Sequence, residues 1–478
     1  MVKIPGLTRH TTSMVGADPT IMSALLSTPL TKLIRPASDP MTVGEIIDAI
    51  AYFPIRVTAF DGSSAGAMNG SASNAASGGS SENSAGASGE MGIHITKDGL
   101  AYIATAPGEL GLARAYLTDN LRVTGTHPAN PYDLFGVLRT VRLKKLSSST
   151  VRRIIGSLAA MDAFRNLPQP PQEMVPFWQR AIDGLSRHSQ QRDAESISHH
   201  YDVSNRFYEL FLGPSMTYTC AYYPDSSSTL EEAQENKYRL IFDKLRLQPG
   251  DTLLDVGCGW GGMVRYAARH GVKTIGATLS REQAEWANEE IARQGLGDLA
   301  EVRFQDYRDI PETDFDAISA IGILEHIGTA NYHDFFSFLF NKLRPGGLIL
   351  NHCITRPINE AKTNAGPFLD RYIFPDGELH CSGNIIANMQ GAGFEVMHEE
   401  NLRPHYARTL KAWCSNLEEN WNAACDEVSE ATAKLYGVYM AGSAWGFDHN
   451  IVQLHQVLGV KPLHDGTMAV PERQWWES

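Results

Sequence analysis

Three groups of residues have the types and spacing to do chemistry. The first is Asp255-Val256-Gly257-Cys258-Gly259-Trp260-Gly261-Gly262. It begins in the strand pattern TLLDV and ends in the helix pattern GGMVRYAARH, so its glycines sit where a strand turns into a helix. Glycine there permits a sharp turn and lets a ligand come close to the backbone. The second is Gln305-Asp306-Tyr307-Arg308, at the end of a later strand pattern. An acid beside an aromatic ring in that place can accept from an adenine amino group while the ring covers its face. A tyrosine after a strand is by itself more often core; near the glycine loop the balance turns toward a ligand. The third is Glu325 with His352. A carboxylate and an imidazole are suited to general-base work or to holding a small base. A lone histidine is more often a satisfied core residue, and Glu325 tips the reading toward function. His326 adjoins Glu325 but need not face the same way, so it stays outside this set.

These residues need a scaffold. From about Leu230, strand and helix patterns alternate. TLLDVGC, KTIGATL, EVRFQD, FDAISAIGIL and GGLILNHCI read as strands; GGMVRYAARH, EQAEWANEEIARQ and YHDFFSFLFNKL read as helices. The alternation predicts an α/β fold, a doubly wound, mainly parallel, Rossmann-like sheet with helices on both faces. Such sheets bind ligands beyond the carboxyl ends of their strands. Glu325 follows the fourth strand and His352 ends the fifth, so both fall on the edge that carries the glycine loop. The second strand ends Ala277-Thr278-Leu279-Ser280 without an acid, which speaks against a dinucleotide site.

A smaller α+β domain precedes this one. Residues 1–40 read as a weakly ordered lead-in, 41–190 as the N-terminal domain and 191–478 as the catalytic domain. TVGEIIDAI has helical periodicity; PIRVTAF, GIHIT and AYIATA read as strands. Residues 62–92, rich in Ser, Gly, Ala and Asn, can bury almost nothing and read as a disordered insert. Helical patterns follow at Leu112–Leu117 and Tyr132–Leu138. Ser149 or Thr150 could cap a further helix with the apolar face Val151, Ile154, Ile155, Leu158 and Met161. A proline cluster at Leu167–Pro176 opens the boundary region, which runs to about Asp193. Residues 356–461 mix aromatic and apolar positions, and their spacing reads as helical core.

Bulk properties exclude some classes. The 478 residues carry a net charge of −13, the wrong sign for general nucleic-acid binding. No apolar run approaches the roughly 18 residues of a membrane span, and the N-terminus lacks a signal-peptide core, so a cytoplasmic protein is expected. Cys220, Cys258, Cys353, Cys381, Cys414 and Cys425 form no CxxC pair, which argues against a zinc site or any other metal centre of that kind and against a disulfide framework. One stretch runs against the overall charge: Arg139, Arg142, Lys144, Lys145, Arg152 and Arg153 lie together with no acid among them. A solvated face and an anionic-surface contact are about equally good readings of it.

The motif D-V-G-C-G-W-G resembles the loop of S-adenosylmethionine-dependent methyltransferases. His200-Tyr201-Asp202-Val203-Ser204-Asn205-Arg206-Phe207-Tyr208 and Met216-Thr217-Tyr218-Thr219-Cys220-Ala221-Tyr222-Tyr223 resemble, more narrowly, the cyclopropane fatty acid synthase family. That family includes the mycolic acid methyltransferases and the enzymes that methylate oleoyl lipid toward 10-methyl acids. The likeness continues through Thr278-Leu279-Ser280-Arg281-Glu282-Gln283, Leu324-Glu325-His326-Ile327-Gly328 and Tyr372-Ile373-Phe374-Pro375, and covers about Ser196 to Val460. More loosely, the N-terminal part looks like the lipid-associated domain of the bacterial phospholipid enzymes. The resemblance implies methyl transfer from S-adenosylmethionine to double bonds of unsaturated phospholipid acyl chains, on the inner face of a membrane, by a peripherally attached enzyme. It implies that Tyr218, Thr219, Asp255, Gly257, Cys258, Gly259, Gly261, Thr278, Gln283, Asp306 and Tyr307 hold that cofactor. It also implies a bicarbonate ion surrounded by Glu325, His352 and Tyr406, with Cys220 near through its backbone. Where the family has a second cysteine, this chain has Met440, which can substitute only if that position acts through its backbone amide. Helices within 356–461 would cover the acyl chain, and a homodimer is left open.

An isolated alkene is a poor nucleophile, so proximity in a dry pocket must supply much of the rate. Transfer leaves a positive centre on the acyl chain, which aromatic faces stabilise by on the order of 0.5–2 kcal/mol each. Proton loss from the new methyl closes a cyclopropane; a hydride shift before proton loss gives a methylene branch, which a separate reductase would saturate. Two other readings compete: a methyltransferase of a soluble small molecule, separable by vesicle flotation, and a lipid-binding relative made inactive by Met440. The intact Glu325, His352 and glycine loop argue against the latter.

Overall fold

The computed structural model describes residues 36–66, 90–173, 203–359, 366–375 and 377–476. Residues 1–35 of the lead-in, 67–89 of the low-complexity insert, the domain boundary from 174 on and His200-Tyr201-Asp202 lie outside the described residues. Two compact units divide the chain: Met1–Glu173 with Gly366–Phe368, and Met174–Ala365 with Leu369–Ser478.

The first unit opens with α1 (Val43–Ile50), started by a capping box in which Thr42 and Glu45 satisfy each other's backbone N–H. Strands β1 (Ala51–Tyr52), β2 (Arg56–Ala59), β3 (Ser64–Ala65) and β4 (Gly92–Ile95) follow, then α2 (Lys97–Thr105) and α3 (Glu109–Leu117). The unit closes with β5 (Leu121–Thr124), α4 (Tyr132–Arg139), β6 (Arg142–Leu143) and α5 (Ser148–Ala160). Four strands form a sheet in the order β3-β2-β4-β5, and β1 pairs separately with β6. Val43, Ile46, Val57, Ile95, Leu100, Ile154 and Leu158 share its core.

Two expectations change here. AYIATA lies in a helix, not a strand: Thr96 caps it by accepting from the Gly99 N–H at 3.1 Å, and Leu100, Ala101, Tyr102 and Ala104 bury one broad face. Six residues are too few for periodicity to separate the two states. The cap of α5 is Ser147, whose Oγ accepts from the Thr150 N–H at 3.1 Å, so the helix begins before Ser149.

The second unit carries the site. Its seven strands are β7 (Thr252–Val256), β8 (Lys273–Thr278), β9 (Ala300–Phe304), β10 (Phe315–Ile321), β11 (Leu343–Thr355), β12 (Glu395–Asn401) and β13 (Gln453–Val460). They lie in the order β12-β13-β11-β10-β7-β8-β9. The run from β9 to β11 is parallel, and β13 is antiparallel to both of its neighbours. The helices used below are α6 (Asn205–Leu212), α7 (Leu230–Lys244), α8 (Gly262–Arg269), α9 (Arg281–Arg293), α10 (Leu324–Ile327), α11 (Tyr332–Lys342), α12 (Ser382–Gly391), α13 (Arg403–Glu419) and α14 (Glu430–Asp448).

Both faces of the central strands β7, β10 and β11 are buried, which explains why they read as mainly apolar. Leu254, Ile318 and Ile349 pack against Phe335, Phe336 and Leu339 of α11 and Met389 of α12. Their neighbours Leu253, Ala317 and Leu348 pack the other way, against Tyr238 and Ile241 of α7 and Met263 and Tyr266 of α8. The stretch 356–461 is not helical throughout, because it supplies β12 and β13. Among the described residues, no helix is long and apolar enough to cross a membrane.

Candidate active site

β7 delivers the chain to the glycine loop. Gly257, Gly259 and Gly261 have φ of +71°, +54° and +71°, a region costly for residues with a Cβ. The N–H groups of Gly257 and Cys258 both donate to the Ala277 carbonyl, at 2.9 and 3.0 Å, which ties the loop to the end of β8. A Cβ on Gly257 would stand 2.8 Å from the Ile323 side chain. A cleft beyond the strand ends is lined by Gly257, Gly259, Thr278, Gln283, Asp306 and Tyr307, together with Leu279, Arg308, Gly322, Ile323 and His326.

The other residues expected here support the cleft rather than line it. Asp255 is buried and accepts from Ser319 Oγ at 2.7 Å; burial pushes its carboxyl up to about 7. Cys258 packs against Gly276 of β8, and burial raises its thiol well above the ordinary range. Gly261 starts α8 where a Cβ would crowd Val302 and Ala287. Thr219 stands next to Gly322, and its Oγ1 accepts from Lys237 Nζ at 2.8 Å. Tyr218 sits in an aromatic cluster, 5.5 Å from Tyr208 and 5.4 Å from Trp413 between ring centroids.

Within the cleft, Thr278 Oγ1 donates to Gln283 Oε1 at 2.8 Å, and Ser280 caps α9 so that Gln283 enters from its first turn. Asp306 departs from expectation. Its carboxylate accepts from Arg308 Nε and Nη2 at 2.8 and 2.6 Å and from the Arg308 N–H at 2.9 Å. Most of the acceptor capacity expected for an adenine amino group is therefore already engaged. Tyr307 is held edge-on by Phe335 and Phe338.

Glu325 and His352 reach the same strand edge from two elements. α10 turns Glu325 toward β11, where its Oε1 accepts from the Ile354 N–H at 2.7 Å. His352, two residues earlier on β11, is 1% exposed and pairs across the sheet with Ile321 of β10. Glu325 Oε2 and His352 Nε2 are buried without a hydrogen-bond partner among the described residues. Burial pushes the Glu325 carboxyl up to about 7, and burial with the cations Lys237 and Lys244 holds the imidazole well below its ordinary range. An imidazole nitrogen and a carboxylate oxygen left open in a dry interior fit a small oxyanion that carries a hydrogen, which the carboxylate, an acceptor only, can take. Among the described residues no cluster of metal-ligating side chains occurs.

Cys220 is fully buried, and burial keeps its thiol neutral, far above the ordinary range. Its Sγ contacts the Leu402 carbonyl at 3.9 Å, and the Ala221 N–H donates to Thr409 Oγ1 at 3.0 Å, so this segment is stitched to α13. Tyr406 lies in the first turn of α13, with its ring 4.6 Å from that of Phe447. Met440 is fully buried in the middle of α14, which packs on α13.

Two site residues escape sequence reading. His326 lines the cleft; consecutive helical residues point about 100° apart, so Glu325 turns to β11 while His326 faces the cofactor side. Lys237 is 1% exposed, and burial lowers its ammonium to about 7. The polar look of LEEAQENKYRLIFDK hides it.

A mixed sheet of this order, with a glycine loop after β7 and its cleft at the β8 and β9 ends, defines an S-adenosylmethionine-dependent methyltransferase. A model of the mycolic acid cyclopropane synthetase family matches residues 188–457, more than half of the chain. The chain belongs to that family. It is 52% identical over 435 residues to the probable fatty acid methyltransferase Rv3720 of Mycobacterium tuberculosis, covering 91% of this chain and 97% of that one. It is 35% identical over 268 residues to the cyclopropane-fatty-acyl-phospholipid synthase of Escherichia coli, covering 56% and 68%. The solved mycolic acid cyclopropane synthase CmaA1, complexed with SAH and CTAB, matches with a TM-score of 0.52 and 34% identity, covering 58% of this chain and 100% of that one.

Proposed function

We propose that this enzyme methylates the double bond of unsaturated phospholipid acyl chains, giving a cyclopropane or a methylene-branched chain that a reductase can saturate. The observation that carries the reading is that Glu325 and His352, both buried at the strand edge that bears the glycine-lined cleft, each keep one open atom. The relatives' names, a fatty acid methyltransferase and a fatty-acyl-phospholipid synthase, support the substrate class.

Gly257, Gly259, Thr278, Gln283 and Tyr307, which line the cleft, would hold S-adenosylmethionine, together with Tyr218 and Thr219. That cofactor supplies an electrophilic methyl group on a sulfonium. Glu325, His352, Tyr406 and the Cys220 backbone hold bicarbonate, which supplies a small base. Cys220 contributes no thiolate, since its thiol stays neutral. Glu325 and His352 orient the proton-accepting group. Tyr218, Tyr208 and Trp413 offer ring faces to positive charge and exclude water. Helices of the 356–461 stretch, α13 and α14 among them, wall the acyl chain. Lipid mass spectrometry of cells expressing the protein tests the reading. Acyl chains are expected to gain one carbon, as a ring or a branch; unchanged lipids would refute it.

The N-terminal unit supplies the membrane contact. Tyr52, Leu143 and Leu146 are 65%, 51% and 38% exposed, and Arg142, Lys145 and Arg152 are exposed as well. Lys144 is engaged, donating to the Asp48 carbonyl and lying over the Tyr52 ring at 3.9 Å. Each cation near an anionic surface contributes roughly 1 kcal/mol. Reversing Arg142, Lys145 and Arg152 to Glu is expected to abolish flotation with anionic vesicles and to leave cofactor affinity unchanged. High salt should act likewise. Flotation equal to wild type would place the contact elsewhere.

A further inference from the structure

One row of side chains crosses the last three strands. His352 of β11 stands directly opposite Gln456 of β13, and Gln456 stands directly opposite Glu400 of β12. Lys244, from the last turn of α7, closes onto this row. Its Nζ donates to Gln456 Oε1 at 2.8 Å and to Glu400 Oε2 at 2.5 Å. Gln456 Nε2 lies 3.1 Å from His352 Nδ1. Lys244, Gln456 and His352 are each 0–1% exposed, so water does not compete for these bonds.

The chemistry of the row leaves one arrangement. An ammonium has hydrogens to give and no lone pair, so the amide must turn its oxygen to Lys244. Its nitrogen, a donor, then faces the imidazole, and Nδ1 can only accept. A proton on Nδ1, in the other neutral tautomer or in the cation, would set donor against donor.

We propose that Lys244 and Gln456 are positioning residues that keep the proton of His352 on Nε2, the nitrogen left without a hydrogen-bond partner among the described residues. His352 is then a hydrogen-bond donor to an anion and not itself the base, and proton acceptance falls to the group that it and Glu325 hold. Burial, with Lys237 and Lys244 nearby, disfavours the imidazolium and agrees with this state. Glu400 anchors the row at the sheet edge, where its side chain is 30% exposed. The kinetic part of this inference rests on the proposed reaction; the proton's position does not.

Nitrogen NMR of the full-length protein with labelled histidine side chains tests it, the His352 signals being those missing from His352→Gln. The wild type is expected to show a protonated Nε2 and an unprotonated Nδ1. In Gln456→Glu a carboxylate replaces the donor and accepts a hydrogen from Nδ1, so the proton should leave Nε2 or a second one should join it. Turnover should fall about a hundredfold or more, with cofactor affinity unchanged, as for other enforced changes of histidine protonation. Lys244→Met frees the amide to turn and should give a mixture of both neutral tautomers. A wild-type Nδ1 that carries the proton overturns the proposal, with no variant needed. So does a Gln456→Glu protein that shifts the proton and turns over normally. Absence of lipid methylation alongside an Nε2-protonated wild type would sink the reaction and leave the tautomer assignment standing.

Discussion

Gly259→Val is expected to eliminate measurable S-adenosylmethionine binding while the protein still folds. At Gly259 an added Cβ meets only Gln283 Nε2, at 4.0 Å, so no protein atom is displaced. The new side chain occupies the cleft itself. The φ of +54° adds a backbone cost of roughly 1–2 kcal/mol, more for a β-branched residue, which a domain of this size tolerates. Gly257→Val differs instructively. There the Cβ would stand 2.8–2.9 Å from Ile323, so both packing and binding should suffer and the melting temperature should drop as well. Calorimetric titration of the folded variants separates the two effects. Wild-type affinity in Gly259→Val would mean that the cofactor does not use this loop.

Glu325→Gln should cost about a hundredfold or more in turnover with cofactor binding intact. The amide can keep the bond from the Ile354 N–H, but it removes the charge at the open oxygen. The pH dependence follows from the raised carboxyl. Glu325 is ionised only above about 7, so wild-type turnover should rise through that pH, and the residual activity of Glu325→Gln should lack this limb. The sign for stability is opposite. A folded-state value above the unfolded one means that this group's stabilisation is present at low pH and is lost as pH rises through 7. Above pH 7 the glutamine variant should therefore melt no lower than wild type. Normal turnover in this variant would make Glu325 structural.

Much of the catalytic unit is legible in the sequence because its parallel strands are buried on both faces. TLLDV and FDAISAI are mainly apolar, broken only by Thr252, Asp255, Asp316 and Ser319, and the turns after them are marked by glycine. β12 and β13 are not legible for a related physical reason. Their polar residues, Glu400 and Gln456 among them, break any simple pattern because they serve the His352 row. Charge composition hides Lys237 and Lys244, since a lysine reads as solvated until the fold buries it. Asp306 lines the cleft, but its pairing with Arg308 two residues on depends on a short turn that residue types do not reveal.

The most direct test of the central claim uses purified protein, S-adenosylmethionine labelled in its methyl group, and vesicles of an oleoyl phospholipid. The labelled carbon should appear in the acyl chain at the former double bond, as a ring or a methylene branch, and the label should vanish from lipid with Gly259→Val. Label that never enters the acyl chain, with the cofactor bound and the vesicles in contact, would contradict the account.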